Sequence, residues 1–156
     1  MTETRTSTSV DFDIPAATFA YLERAAASLR EAITSTDIGM RYAHAHVAAL
    51  RATAALLAAR ARPTPGSRRR AQRNAWVLLT EVAPEFTEWA MFFSAGAAKR
   101  AAAEAGSRKA VSEREADDLV RDADRFLGLV EESLGLTRHV PVPAHLPVHL
   151  PARQVG

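Results

Sequence analysis

Apolar side chains recur at intervals of three and four residues along most of the chain, which is the spacing of one face of an α-helix. The first stretch with this pattern predicts a helix from about Pro15 to Ile33, and the second predicts a long helix from about Asp37 to Arg62. Each helix has one apolar stripe that we expect to be buried. The first stripe comprises Phe19, Leu22, Ala26, Leu29 and Ile33, and the second comprises Met40, Ala43, Val47, Leu50, Ala54 and Leu57.

The helical pattern is interrupted by a loop at residues 62–67, which contains two prolines and a glycine. A third helix is predicted to begin just after this loop. Pro84 either kinks that helix or opens a fourth one, which continues to about Ala105. Gly106 then fits the position after a helix end.

A last helix is predicted over residues 112–134. Ser112 and Glu115 have the spacing of a capping box, in which each side chain binds the backbone N–H of the other residue. Apolar residues then recur at helical spacing as far as Leu134, and Gly135 closes the pattern.

The two ends of the chain lack this periodicity. Residues 1–14 are polar and predict a flexible arm, whereas residues 136–156 contain four prolines and predict an extended or disordered tail. The expected fold is therefore all-α, with an up-and-down bundle of four or five helices over residues 15–135.

Composition supports this fold class and narrows the chemistry. About a fifth of the residues are alanine, the best helix former, and small side chains allow helices to approach closely. The absence of cysteine excludes disulfides, thiolate zinc sites, iron–sulfur clusters and a cysteine nucleophile. The chain has a net charge of +2, no apolar run long enough to cross a bilayer and no signal-peptide pattern, so we expect a cytoplasmic protein without membrane contact.

The second predicted helix carries the candidate catalytic chemistry. Arg41 and His46 are separated by four residues, and a neutral imidazole beside a guanidinium can cleave RNA without a metal. The imidazole deprotonates the 2′-hydroxyl, and the guanidinium stabilises the charge of the transition state. In a regular helix, however, His46 lies roughly 140° around the axis from Arg41. His44 and Arg51 lie closer to the side of Arg41, and the alternative for the whole segment is a solvated helix face.

A run of arginines follows the second helix and predicts an interface with an anionic partner. Its densest part consists of Arg68, Arg69, Arg70 and Arg73, which together with Arg51 are candidates for contacts with a nucleic-acid backbone. The alternative is a solvated loop.

The remaining polar clusters do not predict a metal or cofactor site. Prolines around His145 and His149 prevent the helix that a histidine pair at this spacing requires. The acidic residues 81, 85 and 88 have no histidine nearby, so we expect no metal and no cofactor. The aromatic residues between Trp76 and Phe93 indicate a core, and Phe92 lies beside the main stripe, where it can reach a dimer or partner surface.

Three segments resemble the helical domains of the HEPN superfamily, specifically a small stand-alone actinobacterial branch. RYAHAHVAALRATAALL at residues 41–57 resembles the long second helix of these domains, and EWAMFFSAGAAKRAAAEAG at residues 88–106 and the amphipathic residues 123–134 support the likeness.

The resemblance implies a helical bundle that forms a homodimer and binds RNA or a nucleotide. Many members are metal-independent RNases of toxin–antitoxin or defence systems, with an Arg-x(4–6)-His motif that Arg41 and His46 match in spacing. In this chain the motif lies in the second helix rather than near the last two, and Tyr42 follows the arginine. The alternative is therefore a non-catalytic dimeric interaction module, with the Pro-rich tail as a further contact for a protein partner.

Overall fold

The computed structural model describes residues 13–61 and 74–143, and these residues form helices and connections without a β-strand, which confirms the all-α prediction. The helices are α1 (Ala16–Thr34), α2 (Ile38–Arg60), α3 (Ala75–Val82), a 3₁₀ turn (Pro84–Phe86), α4 (Thr87–Ala95), α5 (Ala97–Glu104) and α6 (Glu113–Ser133). Residues 1–12, 62–73 and 144–156 lie outside the described part, and with them most of the predicted arm and tail.

Side-chain caps stabilise the first turns of the two longest helices, α2 and α6. The carboxylate of Asp37 accepts a hydrogen bond from the backbone N–H of Met40 at 2.9 Å, at the start of α2. At the start of α6, the N–H of Glu115 donates to Ser112 Oγ at 3.1 Å, and the N–H of Ser112 donates to Glu115 Oε2 at 3.2 Å. The predicted capping box is therefore confirmed.

Helix α2 lies at the centre of the bundle and contacts α1, α3, α5 and α6. The predicted stripe of α2 is mostly wrong: Ala43 is buried, whereas Met40 is 36% exposed and the other members are partly exposed. Neighbouring helices cover the other side of α2, where alanines allow close approach. The buried residues are Arg41, Tyr42, Ala43, Ala45, His46, Ala48, Ala49, Ala52, Thr53, Ala55 and Leu56.

Helix α1 packs antiparallel to α2, and its buried face is also rotated from the predicted one. Near the start of α1, Thr18 is fully buried and its hydroxyl donates to the carbonyl of Ala55 near the end of α2, at 3.0 Å. Phe19, which was predicted to be buried, is 48% exposed. The side of α1 that faces the bundle also includes the predicted Leu29, together with Ala25, Ser28 and Ala32.

The segment after Pro84 is divided into two helices, although the sequence predicted one helix to Ala105. The division occurs at Gly96, which packs directly against α2. A Cβ atom at this position would lie 2.7 Å from the hydroxyl of Tyr42, so the close approach requires glycine. Beyond α5, Gly106 has a φ of +89°, as expected for the residue after a helix end.

An aromatic cluster forms the centre of the core on the other side of α2. Phe93 of α4 is fully buried, and its ring lies 5.3 Å from Trp76, 5.8 Å from Trp89 and 5.2 Å from Phe126, measured between ring centroids. This cluster joins α3, α4 and α6. None of the helices within residues 13–61 and 74–143 combines the length and apolarity needed to cross a membrane.

Candidate functional site

Arg41 of the Arg–His pair is buried and joined to another helix. Its side chain is 9% exposed, and Nη1 donates to Asp117 Oδ1 of α6 at 2.6 Å. Nη2 donates to the carbonyl of Ser35 at 3.2 Å, in the turn between α1 and α2. The guanidinium thus neutralises a carboxylate that is 23% exposed and connects three parts of the bundle.

His46 is 1% exposed, and both of its ring nitrogens have partners. A carbonyl oxygen accepts only, so Nε2 carries the hydrogen and donates to the Phe93 carbonyl at 2.8 Å. Nδ1 then accepts from Nη1 of Arg100 at 3.2 Å. The ring also lies edge-on to Trp76, with 5.8 Å between the ring centroids. This arrangement defines a neutral imidazole with one specific tautomer.

The electrostatic environment also favours the neutral ring. Burial is the largest effect and lowers the pKa of His46 below its usual 6.5. The hydrogen bond to the Phe93 carbonyl and the charge of Glu104 raise the pKa, and the positive charge of Arg100 lowers it further. A second proton on Nδ1 would face the Arg100 guanidinium directly, so protonation of His46 costs this hydrogen bond.

His44 and Arg51 lie on the α1 side of α2. The Nδ1 atom of His44 is 3.2 Å from Oε2 of Glu31, and the His44 side chain is 31% exposed. Arg51 donates to Ser28 Oγ at 2.7 Å and to the Arg24 carbonyl at 3.3 Å. The fold therefore directs these two residues to α1.

The predicted site residues make contacts with different elements. Arg41 binds α6, and His46 binds Phe93 of α4 and Arg100 of α5. His44 and Arg51 bind α1. The predicted group of Arg41, His44 and Arg51 therefore shares no hydrogen-bond partner in the described structure. The other predicted nucleic-acid contacts lie outside the described residues; they are Arg68, Arg69, Arg70 and Arg73.

Two residues that sequence reasoning missed determine the chemistry of this region. Asp117 is separated from Arg41 by 76 positions, and Arg100 is separated from His46 by 54. No local pattern connects either pair, and only the packing of α5 and α6 against α2 reveals them. Within residues 13–61 and 74–143, no group of three acidic or histidine side chains is arranged to hold a metal ion.

The comparisons with known proteins agree with the architecture. The model of the SAV_6107-like HEPN family matches residues 32–131, which extend from the last turn of α1 to the last turn of α6 and make up more than half of the chain. No curated protein and no solved structure matches the chain significantly. The family match covers Arg41, His46 and both of their distant partners, and the chain belongs to the SAV_6107-like HEPN family.

Proposed function

We propose that this protein is a non-catalytic HEPN-type interaction module in which Arg41 and His46 stabilise the bundle. The observation that carries this proposal is the engagement of both ring nitrogens of His46 in a position that is 1% exposed. A general base needs a free lone pair within hydrogen-bond reach of the substrate hydroxyl. Here one nitrogen carries a hydrogen, and Arg100 occupies the other.

Arg41 supports the same proposal. A guanidinium that stabilises a phosphorane must direct its charge toward the substrate. The charge of Arg41 is instead directed toward Asp117 at 2.6 Å, and removing the arginine would leave a partly buried carboxylate without its partner. A structural role explains the contacts of Arg41 with Asp117 and with the Ser35 carbonyl as they stand, whereas a catalytic role would require the side chain to leave them.

Exposed apolar side chains on α3 and α4 provide a surface for a protein partner. Val77 is 49% exposed, Met91 is 69% exposed and Phe92 is 47% exposed. Aromatic and methionine side chains are enriched at protein interfaces, where they bury a large area. We infer that this surface, which we call the α3–α4 surface, mediates homodimerisation, and that the Pro-rich residues 136–156 provide a second contact for a protein.

Metal-independent RNA cleavage is the second candidate, and one contact favours it. The side chain of Arg100 is 26% exposed and binds Nδ1 of His46. A phosphate that drew Arg100 outward would free Nδ1 as a base and bring a guanidinium to the same phosphate. This version replaces Arg41 with Arg100 as the group that stabilises charge, and it requires opening of the α2–α5 contact.

Incubation with RNA in the presence of EDTA separates the two candidates. We expect the wild-type protein to cleave no faster than His46→Gln, which keeps a donor and an acceptor but cannot act as an imidazole base. His44→Gln serves as the matched control on the exposed side of α2. Cleavage by the wild type that falls by a hundredfold or more in folded His46→Gln and Arg100→Gln, but not in His44→Gln, would establish the RNase instead.

Sedimentation equilibrium tests the α3–α4 surface. We expect a homodimer whose dissociation constant rises about thirtyfold in Phe92→Ser, since an anchor residue at an interface contributes roughly 2 kcal/mol or more. Phe19→Ser is the control, because Phe19 is equally exposed at 48% but lies on α1. A monomeric wild type, or equal weakening by both substitutions, would contradict dimerisation through this surface.

A further inference from the structure

The chain after α6 folds back onto the bundle. The N–H of Leu136 donates to the carbonyl of Glu131 at 2.9 Å, and the following residues run without regular secondary structure toward earlier turns of α6. Val142 packs against the core. Residues 136–143, which we call the strap, therefore contact the bundle although they begin the predicted Pro-rich tail.

His139 attaches the strap through three polar contacts to α6. Its backbone N–H donates to Oε1 of Glu131 at 3.2 Å, and its Nδ1 contacts the same oxygen. Its Nε2 lies 2.5 Å from Oδ1 of Asp124. Carboxylate oxygens accept hydrogen bonds, so each ring nitrogen must carry a hydrogen, and only the imidazolium has two. The geometry is that of a charged ring between two carboxylates.

The three side chains of this contact are largely shielded from water, so water cannot easily replace their hydrogen bonds to one another. The side chains of Glu131 and Asp124 are 11% and 15% exposed, and that of His139 is 19% exposed. The two acidic residues are seven positions apart and lie on one face of α6. On the α1 side, Arg30 is the charged residue that lines a cavity together with Asp124 and His139. Within the strap, Arg138 pairs with Glu132.

We propose that His139 is a pH-dependent clasp, which holds the strap on α1 and α6 while its ring is protonated and releases the strap when the ring loses a proton. A neutral ring has one bare nitrogen, and that lone pair would face a carboxylate at hydrogen-bond distance. The resulting repulsion between a lone pair and a buried anion removes the attachment. This proposal is independent of whether the protein cleaves RNA.

The direction of the pH dependence follows from the contacts. The hydrogen bond to Asp124 is the largest effect and raises the pKa of His139 above 6.5; the contacts with Glu131 raise it further, and burial opposes them. A raised pKa in the folded state means that the clasp is fully present below pH 6.5 and is lost as the pH rises through the folded-state value.

Release of the strap would change the surface available to a partner. The strap borders a cavity of about 360 Å³ against α1, whose apolar lining comes from Ala26, Leu29 and Ile33. Opening of the strap exposes this apolar lining to solvent.

Methyl NMR of the full-length protein tests the clasp. The Val142 methyl signals and the His139 ring signals are followed from pH 5.5 to pH 10. We expect Val142 to move from shifted positions to random-coil positions in one step that coincides with the His139 titration and has its midpoint above pH 6.5. A Val142 signal that stays unchanged through the His139 titration would overturn the proposal.

Three variants make the test specific. His139→Gln should place Val142 at random-coil positions at every pH, whereas His44→Gln, which alters a histidine with one carboxylate partner, should titrate like the wild type. Asp124→Asn should keep the strap attached at high pH, because an amide can donate to the bare nitrogen. Attachment of Val142 in His139→Gln, or unchanged release in Asp124→Asn, would contradict the clasp.

Discussion

Phe93→Ala is expected to lower the free energy of unfolding by about 3–5 kcal/mol, because it removes a fully buried ring from the centre of the aromatic cluster. The ring contacts Trp76, Trp89 and Phe126 from three helices, so the surrounding structure cannot collapse into the cavity without moving a helix. Urea unfolding followed by circular dichroism at 222 nm measures the loss.

Phe19→Ala is the matched control, since it is the same chemical change at a side chain that is 48% exposed. We expect it to cost less than about 1 kcal/mol. The sequence pattern places both phenylalanines in buried stripes, and the structure buries only Phe93. Equal losses in the two variants would show that α1 packs with the face predicted from its sequence.

His46→Ala is expected to lower the free energy of unfolding by about 2–4 kcal/mol at pH 7.5. The substitution leaves a cavity beside Trp76, removes the donor of the buried Phe93 carbonyl and deprives Arg100 of its acceptor. Urea unfolding measures this loss too. A near-neutral effect would mean that His46 does not stabilise the bundle, and the proposed structural role would fail.

The same residue should make the fold sensitive to mild acid. Because the folded-state pKa of His46 lies below 6.5, the unfolded chain binds the extra proton, and stability falls as the pH drops from 6.5 toward the folded-state pKa. The slope from one such group is at most about 1.4 kcal/mol per pH unit. His46→Gln should flatten the dependence in this window, whereas His44→Gln should retain it.

The effects of His46 and His139 on stability fall on opposite sides of pH 6.5. His46 destabilises the fold only below that value, because its pKa is lowered. His139 stabilises the fold below it and loses its contribution above it, because its pKa is raised. Measurements between pH 5.5 and pH 6.5 therefore report on His46, and measurements at higher pH report on the clasp.

Local sequence signals were sufficient for most helix ends. The predicted first helix, from Pro15 to Ile33, differs by one residue at each end from α1, because the apolar period and Pro15 act locally. The capping box at the start of α6 is likewise predicted from the spacing of Ser112 and Glu115 alone. The division of the segment at Gly96 was not predicted, and the close contact of Gly96 with the Tyr42 hydroxyl involves a residue of another helix.

The candidate site was predictable only as a list of residue types. The spacing of Arg41 and His46 identified a pair capable of acid–base chemistry, and the resemblance to HEPN domains is confirmed by the family match. The partners of that pair are Asp117, Phe93 and Arg100. Their separations of 47 to 76 positions lie far beyond any local pattern.

Local sequence patterns are enough to show that this chain is helical, where its longest helices begin and end, and which superfamily it resembles. The buried side of each helix depends on the packing of the whole bundle. Helix α2, for example, has neighbours on several sides, and alanine can pack against any of them. The same packing decided the state of His46, because a carbonyl and a guanidinium from distant helices occupy its two nitrogens.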